Sequence, residues 1–327
     1  MIDASGTYAT ANPLGAGGLP ARGEAAARAA GHVVPALPDV LGADRERFAG
    51  TRTLVVGMGH SAANTLLALV ELARTEPGTE VWWAIRKNSP ARLYGDADGL
   101  PARGRLGTAL KAAVESGQIR LVRGFVTTAL TPRPDGTVEV VGATPEGEQR
   151  LVVHTVVAAT GFRSDLSITS EIRLGLDPAL ECPAALAELI DPNFHSCGTV
   201  RPHGERELAH PEPGFYVVGM KSYGRAPTFL LATGYEQARS VVAALAGDRE
   251  AADRVELDLP ETGVCSSTLA DLEDAEIAGA TAGGCCGRPA REPVSIGFAT
   301  GHGGGWAAEV TGQAKGPEQA EPAGCCG

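Results

Sequence analysis

The sequence predicts an α/β protein organised around a Rossmann-type dinucleotide domain, and three features carry that prediction. A short apolar strand at 53–57 runs into the glycine pattern Gly57-Met58-Gly59-His60-Ser61-Ala62. A helical segment follows to Arg74, and a second apolar strand, Glu80-Val81-Trp82-Trp83-Ala84-Ile85, completes a βαβ unit. A further strand leaves through a glycine at Val156-Val157-Ala158-Ala159-Thr160-Gly161. A last apolar strand, Gly214-Phe215-Tyr216-Val217-Val218-Gly219, precedes a helix over 229–246.

The remaining elements follow in order. Met1-Ile2-Asp3-Ala4-Ser5-Gly6-Thr7 reads as the end of a buried strand running into a glycine turn. Residues 8–48 are rich in Pro, Gly and Ala, with Asn12-Pro13-Leu14-Gly15 and Gly17-Gly18-Leu19-Pro20, and suit an irregular crossing between domains. The helix at 61–74 has the apolar density of one packed on a sheet and is ended by Glu76-Pro77-Gly78. A polar loop at 86–103 leads into a helix over 106–116. Segments 119–122, 138–141 and 151–159 read as strands, with Pro134-Asp135-Gly136 as a hairpin turn. An irregular stretch then runs from Gly161 to about Pro213. Beyond Gly247 the abundance of Gly, Ala, Glu and Pro cannot easily build a core, so residues 248–327 are expected to be disordered.

Composition bounds the function. A chain of 327 residues, 43% hydrophobic, is long enough for two domains with their own cores. No run of eighteen apolar residues occurs, which argues against a membrane span, and no basic flank with an apolar stretch opens the chain, which argues against a secretory signal. The expectation is a cytoplasmic protein. The net charge of −11 is concentrated at the end, where residues 248–327 hold fourteen acidic against five basic side chains. The body carries no basic stripe, which argues against nucleic acid as a partner.

The glycine pattern has a specific physical reading. Gly57 allows a tight turn, and Gly59 lets the backbone approach a pyrophosphate. Ala62 is small enough for close helix–strand packing, while the helix start offers N–H groups and the positive end of a dipole. The alternative is a glycine turn opening an ordinary α/β unit. His60 lies within the loop and could meet a phosphate or point to solvent; Ser61 and Asn64 sit in the first turn, where capping is the plain reading. A site for NAD usually ends the second strand with an Asp or Glu for the ribose hydroxyls, but this chain has Arg86-Lys87. A guanidinium takes a 2′-phosphate with paired hydrogen bonds, so NADPH is favoured over NADH, against the alternative of a solvated basic loop.

Five of the seven cysteines lie in the acidic tail: Cys265, Cys285, Cys286, Cys325 and Cys326. Cys285-Cys286-Gly287 and Cys325-Cys326-Gly327 repeat a vicinal thiol pattern, suited to a soft metal or metalloid such as trivalent arsenic, copper(I) or zinc. The alternative is a tail without a ligand. No Cys-x-x-Cys occurs, so no redox pair of that type is available. Cys182 and Cys197 read as reduced, partly buried thiols, with the alternative that they pair if the fold brings them together. Cys197 stands near His195, Arg201 and His203, a polar cluster that could line a pocket or form an ordinary loop.

These features resemble the FAD- and NADPH-dependent flavoproteins of the flavin monooxygenase and pyridine-nucleotide oxidoreductase class. The resemblance rests on Gly57-Met58-Gly59-His60-Ser61-Ala62, on the exit Ala159-Thr160-Gly161-Phe162-Arg163 and on the late strand and helix. The blocks His195-Ser196-Cys197-Gly198-Thr199 and 219–227 look like an actinobacterial subgroup associated with arsenic resistance. In that class the NADPH domain is inserted between two halves of a flavin domain. The resemblance therefore implies that residues 1–48 are the remnant of the first half and crossover, 49–157 the nicotinamide domain, and 158–247 the second half. It also places Gly161, Gly219, Thr228, Phe229 and Leu230 near the flavin. The acidic residue usual after the late glycine is replaced here by Met220-Lys221.

The class carries an earlier βαβ unit with its own glycine fingerprint, and none precedes residue 49 here. This puts FAD binding in question and leaves three readings: a mis-set start, a degraded gene, or an NADPH-binding fragment. The function implied is hydride transfer from NADPH to FAD and on to oxygen or another acceptor. The competing reading is a non-catalytic NADPH-binding or thiol metalloid-binding protein. Lys221, Tyr223 and Arg225 stand where a pocket mouth is expected.

Overall fold

The computed structural model describes residues 1–94, 101–195 and 200–257. The tail from 258, and with it Cys265, Cys285, Cys286, Cys325 and Cys326, lies outside the described residues, as does Cys197. In chain order the strands are β1 (Ile2–Asp3), β2 (Val33–Pro35), β3 (Arg52–Val56), β4 (Glu80–Ala84), β5 (Ile119–Val122), β6 (Val126–Pro132), β7 (Val138–Thr144), β8 (Gly147–Val153), β9 (Thr155–Ala158) and β10 (Tyr216–Val217). The helices are α1 (Glu24–Ala29), α2 (Arg45–Phe48), α3 (His60–Thr75), α4 (Ala91–Tyr94), α5 (Pro101–Glu115), α6 (Ala184–Ile190), α7 (Glu205–Leu208), α8 (Leu231–Leu245) and α9 (Arg249–Asp253).

A five-stranded sheet of order β2-β9-β3-β4-β5 is parallel throughout. Side-chain alternation divides its two faces. Val55, Trp83 and Ile85 face one side and bury against α3 and α5 through Ala62, Ala63, Leu66 and Leu110. Leu54, Val56, Trp82 and Ala84 face the other side and meet the antiparallel meander β6-β7-β8 through Phe125, Leu130, Val138, Val140 and Leu151. Both faces of a parallel sheet are therefore covered, as its apolar strands require.

The α/β class is as the sequence predicts, but the stretch expected to be irregular after Gly161 contains α6 and α7, and the loop expected at 86–103 contains α4 and the start of α5. Strand β6 is not among the expected elements, and three further differences bear on the packing. The crossing at 8–48 is not wholly irregular: it contributes α1 and the edge strand β2, whose Val33 and Val34 pair with Val156 and Val157. Residues 151–159 do not form one strand. The chain turns at His154, so β8 joins the meander and β9 enters the parallel sheet. The first residues of the expected disordered tail form α9, capped by the Asp248 carboxylate accepting from Ala251 N–H at 2.9 Å. Arg239 Nη1 on α8 donates to the Ala251 carbonyl at 2.6 Å, and Ser240 Oγ donates to the Ala252 carbonyl at 2.7 Å, tying α9 to α8.

The remaining sheet is small. β1 and β10 pair in parallel, Ile2 against Tyr216 and Asp3 against Val217. Beside it, Cys182, Leu186, Ile190, Leu208, Tyr216, Tyr223 and Val241 form a separate core. No helix among the described residues is long and apolar enough to cross a membrane.

Candidate functional site

The parallel register brings several sequence features to one edge. Val56 pairs with Ala84 on one side and Ala158 on the other, so β3, β4 and β9 end at the same level. Gly57, Arg86 and Ala159 follow those three ends. From β3 the chain continues outward to β4 and β5, then returns to lay β9 on the other flank of β3. The Gly57 loop therefore leaves the sheet at a topological switch point, the usual crevice for a ligand in an open α/β sheet.

Gly57 has φ 132°, and a Cβ there would run into the Ala159 carbonyl. Only glycine lets the loop cross so close to β9. Its N–H donates to the Ala84 carbonyl at 3.1 Å, and its own carbonyl accepts from the Trp83 indole Nε1 at 2.7 Å. Trp83 is fully buried, so the loop is anchored to the sheet by a side chain that sequence reasoning assigned only to a strand.

Gly59 is the opposite case. It is exposed, forms the N-cap of α3 with φ −104°, and a Cβ there would meet nothing within 4 Å. Open space thus stands above the helix start. No side chain caps α3, and no acidic residue occupies its first turn. The expected capping by Ser61 or Asn64 is not found: Asn64 Nδ2 donates to the His60 carbonyl at 3.0 Å, and the Ser61 carbonyl accepts from Thr65 Oγ1 at 2.9 Å. Ala62 is completely buried against the sheet. His60 and Ser61 are half-buried at the helix start. The uncapped positive end of a sixteen-residue helix can take an anion.

Arg86 and Lys87 are exposed just beyond the end of β4. The backbone beneath them is fixed: Phe125 N–H donates to the Ile85 carbonyl at 2.9 Å and Gly124 N–H to the Lys87 carbonyl at 3.1 Å. Gly161, at the exit of β9, is held by the crossing segment. Its carbonyl accepts from Asn12 N–H at 2.9 Å, and Thr160 Oγ1 donates to the Asn12 carbonyl at 2.6 Å.

The late residues gather at the small sheet. Gly6 and Gly219 follow the ends of the paired strands β1 and β10, each with φ 73° and nothing within 4 Å of a Cβ position. Thr228 is buried, and its Oγ1 donates to the Ile190 carbonyl at 3.3 Å. Phe229 is half-buried with its ring edge-on to Tyr223 at 5.1 Å, and Leu230 is the N-cap residue of α8. Gly219 N–H donates to Gln237 Oε1 on α8 at 2.8 Å, a buried anchor that the sequence did not single out. Its available signal was a Gln on the face of α8 shared with Thr233, Glu236 and Ser240.

The pocket-mouth expectation fails for two of its three residues. Lys221 and Tyr223 are buried, and only Arg225 is exposed. Lys221 Nζ is taken up by Asp3 at 2.7 Å and Ser5 Oγ at 3.0 Å. Burial also pushes the Tyr223 hydroxyl well above its usual range and the Cys182 thiol up to about 12. No cluster able to hold a metal ion occurs among the described residues.

No family model matches the chain, and no curated protein matches it. Solved structures do. The desferrioxamine-pathway cadaverine monooxygenase DfoA from Erwinia amylovora, bound to FAD, aligns with a TM-score of 0.51 at 14% identity, over 80% of this chain and 64% of that one. The bacillithiol disulfide reductase Bdr (YpdA) from Staphylococcus aureus aligns at 0.49 and 15% identity, over 76% and 62%. Its counterpart from Bacillus cereus aligns at 0.45 and 15%, over 68% and 54%. The chain spans less than two thirds of the length of each. At such identity the shared property is the fold: this chain has the α/β architecture, with its parallel sheet and flanking helices, that it shares with DfoA.

Proposed function

We propose that this chain forms the NADPH-binding part of a flavin-dependent oxidoreductase. One observation carries the reading: the Gly57 loop sits at the switch point of the parallel sheet with open space above Gly59 and an uncapped helix start behind it. A pyrophosphate fits that cradle, with the α3 backbone as donor and the helix dipole favouring negative charge. Arg86 and Lys87, on the same sheet edge, are assigned to the 2′-phosphate, which a guanidinium receives in a forked pair of bonds.

For FAD the support is of a different kind. Gly6 and Gly219 leave open space at neighbouring strand ends, and Gly219 lies against α8, whose N-cap is Leu230. These residues suit the ring end of a flavin. The described residues contain no second glycine fingerprint for its pyrophosphate. When bound, the pair of cofactors would supply hydride transfer from NADPH to the flavin and onward to oxygen or another acceptor. The protein's own part is to hold each side in place: the Asn12–Gly161 clasp ties the crossing segment to the exit of β9, and the Asp3–Lys221 pair fastens β1 to the segment after β10. A link to arsenic resistance, monooxygenase chemistry and a metalloid ligand for the tail thiols rest on the sequence alone.

The second reading, a non-catalytic NADPH-binding protein, is favoured by one contrast. The nicotinamide-side sheet has five strands, whereas the flavin side has two. The deciding experiment is the visible spectrum of the purified chain after FAD is added and unbound flavin removed, followed by NADPH. A stoichiometric flavin band that bleaches supports the oxidoreductase. A colourless protein that still binds NADPH supports the second reading, and one that binds neither overturns both.

A further inference from the structure

His203 is buried and takes no part in the nucleotide site, yet its protonation state is set by the backbone of Gly219. The argument runs through Gln237, which is completely buried on α8. Gly219 N–H points at one end of the Gln237 amide at 2.8 Å. A backbone N–H can only donate, so that end must be the oxygen. The NH2 end then faces Ser222 Oγ at 2.9 Å and His203 Nε2 at 3.0 Å. Ser222 Oγ spends its own proton on the Gly219 carbonyl at 2.7 Å. Both polar groups of the Gly219 backbone are therefore pinned by a closed ring of three residues.

His203 closes the other end of the chain of bonds. Facing an NH2 donor, Nε2 must be an acceptor, so the ring proton sits on Nδ1 and is donated to the Arg201 carbonyl at 3.0 Å. The imidazole is fully satisfied when neutral. A second proton would place N–H against N–H at the Gln237 contact. Turning the Gln237 amide over relieves that contact but then sets its NH2 against Gly219 N–H. Acid on His203 thus reaches Gly219 with no free step between.

The charged groups around the ring do not remove this conflict. Glu207 on α7 accepts from Gly204 N–H at 2.9 Å, and Glu236 on α8 is paired with Arg239 at 2.6 Å. Glu205 is paired with Arg249 at 2.6 Å, Arg206 with Asp253 at 2.7 Å, and Lys221 with Asp3 at 2.7 Å. Glu207 and Glu236 favour the protonated ring, but burial outweighs them and lowers the His203 pKa below its ordinary value.

We infer that His203 is a proton-sensitive latch on the Gly219 turn: the neutral ring holds the turn through Gln237 and Ser222, and its protonation releases the turn. As regulation of the flavin side, this rests on the reading that Gly219 borders the flavin; the latch itself does not.

Hydrogen exchange of the whole chain, read on peptides covering 216–223 between pH 8 and 5 and corrected for intrinsic rates, tests it. Protection of the Gly219 turn should fall by up to about tenfold for each pH unit between the ordinary imidazole value of about 6.5 and the lower folded-state pKa of His203, and level off below it, relative to a peptide from β3. In His203→Gln, whose side-chain carbonyl accepts without titrating, that step should vanish. An identical step in both proteins, or none in the wild type, overturns the latch. Should the variant not fold, nitrogen-15 NMR of wild-type His203 decides: a proton on Nδ1 supports the latch, and a proton on Nε2 near neutral pH overturns it. Repeating the exchange with added FAD separates the two ideas. A pH step in a protein that retains no flavin leaves the latch standing and removes the flavin reading. Bound flavin without the step does the reverse.

Discussion

Lys221 Nζ lies 2.7 Å from Asp3 Oδ2, and both side chains are 1% exposed. The pair joins residues 218 positions apart and fastens β1 to the segment after β10. Burial alone would raise the Asp3 carboxyl. The hydrogen bonds from Lys221 and from Ser5, together with the ammonium charge, outweigh it and hold the carboxyl below its usual value.

Removing one partner should cost far more than removing both. Lys221→Met strands a buried carboxylate and is expected to lose about 3–5 kcal/mol, whereas Asp3→Leu with Lys221→Met should recover most of that loss. Urea midpoints at pH 7 measure both. Because the folded-state pKa of Asp3 is depressed, its contribution is present above the unfolded value of about 4 and is lost as pH falls below it. A Lys221→Met protein as stable as the wild type would show that the pair is not made.

The two glycines of the proposed nucleotide loop should fail in different ways. Gly57→Ala drives a Cβ into the Ala159 carbonyl at a strained φ, so a loss of stability is expected, on the order of 1–3 kcal/mol or more. Gly59→Ala meets nothing and adopts an ordinary φ, so the thermal midpoint should stay near wild type while NADPH affinity falls, because the methyl group stands where a pyrophosphate would lie. Differential scanning fluorimetry with and without NADPH separates the two. Equal destabilisation by both would refute this assignment.

Arg86→Ala should weaken NADPH and leave NADH nearly unchanged. A forked, charge-assisted pair at an exposed site is worth about 1.5–3 kcal/mol, so a loss of about 10- to 150-fold in NADPH affinity is expected. Titration calorimetry with both nucleotides reads it directly. Equal losses for the two would move the basic residues away from the 2′-position.

How far the sequence discloses this architecture depends on how local each signal is. The Gly57 loop is legible because strand, turn and helix are contiguous, so the context that gives the glycines meaning lies within thirty residues. The run 151–159 is not: nine mostly apolar residues carry no mark of the turn at His154, which appears only when β8 and β9 find different sheets. Strand β6 reads poorly because threonines interrupt its alternation. Lys221 looks like a loop cation because lysines are seldom buried. Its partner lies at the other end of the described chain. Gln237 is invisible for the same reason, since a polar side chain on a helix gives no sign of what it will meet. His203 reads only as one of a polar group with His195, Cys197 and Arg201, with no mark of its burial against Gln237.

Cys182 should be chemically silent in the folded protein. It is completely buried in the core formed with Leu186, Ile190 and Tyr223, and it is a free thiol. Burial raises its pKa to about 12, with the Asp177 carboxylate adding to the shift. At pH 8 its thiolate fraction is therefore on the order of one in ten thousand, and the reagent has no path to it. Mass-spectrometric mapping after brief iodoacetamide treatment at pH 8 should find Cys182 unmodified in buffer and fully modified in denaturant. Cys182→Ala should likewise leave any arsenite or zinc binding by the whole chain unchanged, so that such binding, where measured, belongs to the other six cysteines. Rapid modification of Cys182 in buffer would mean that this core opens readily. The small sheet and the Gly219 turn beside it would then be more weakly held than their buried pairs indicate.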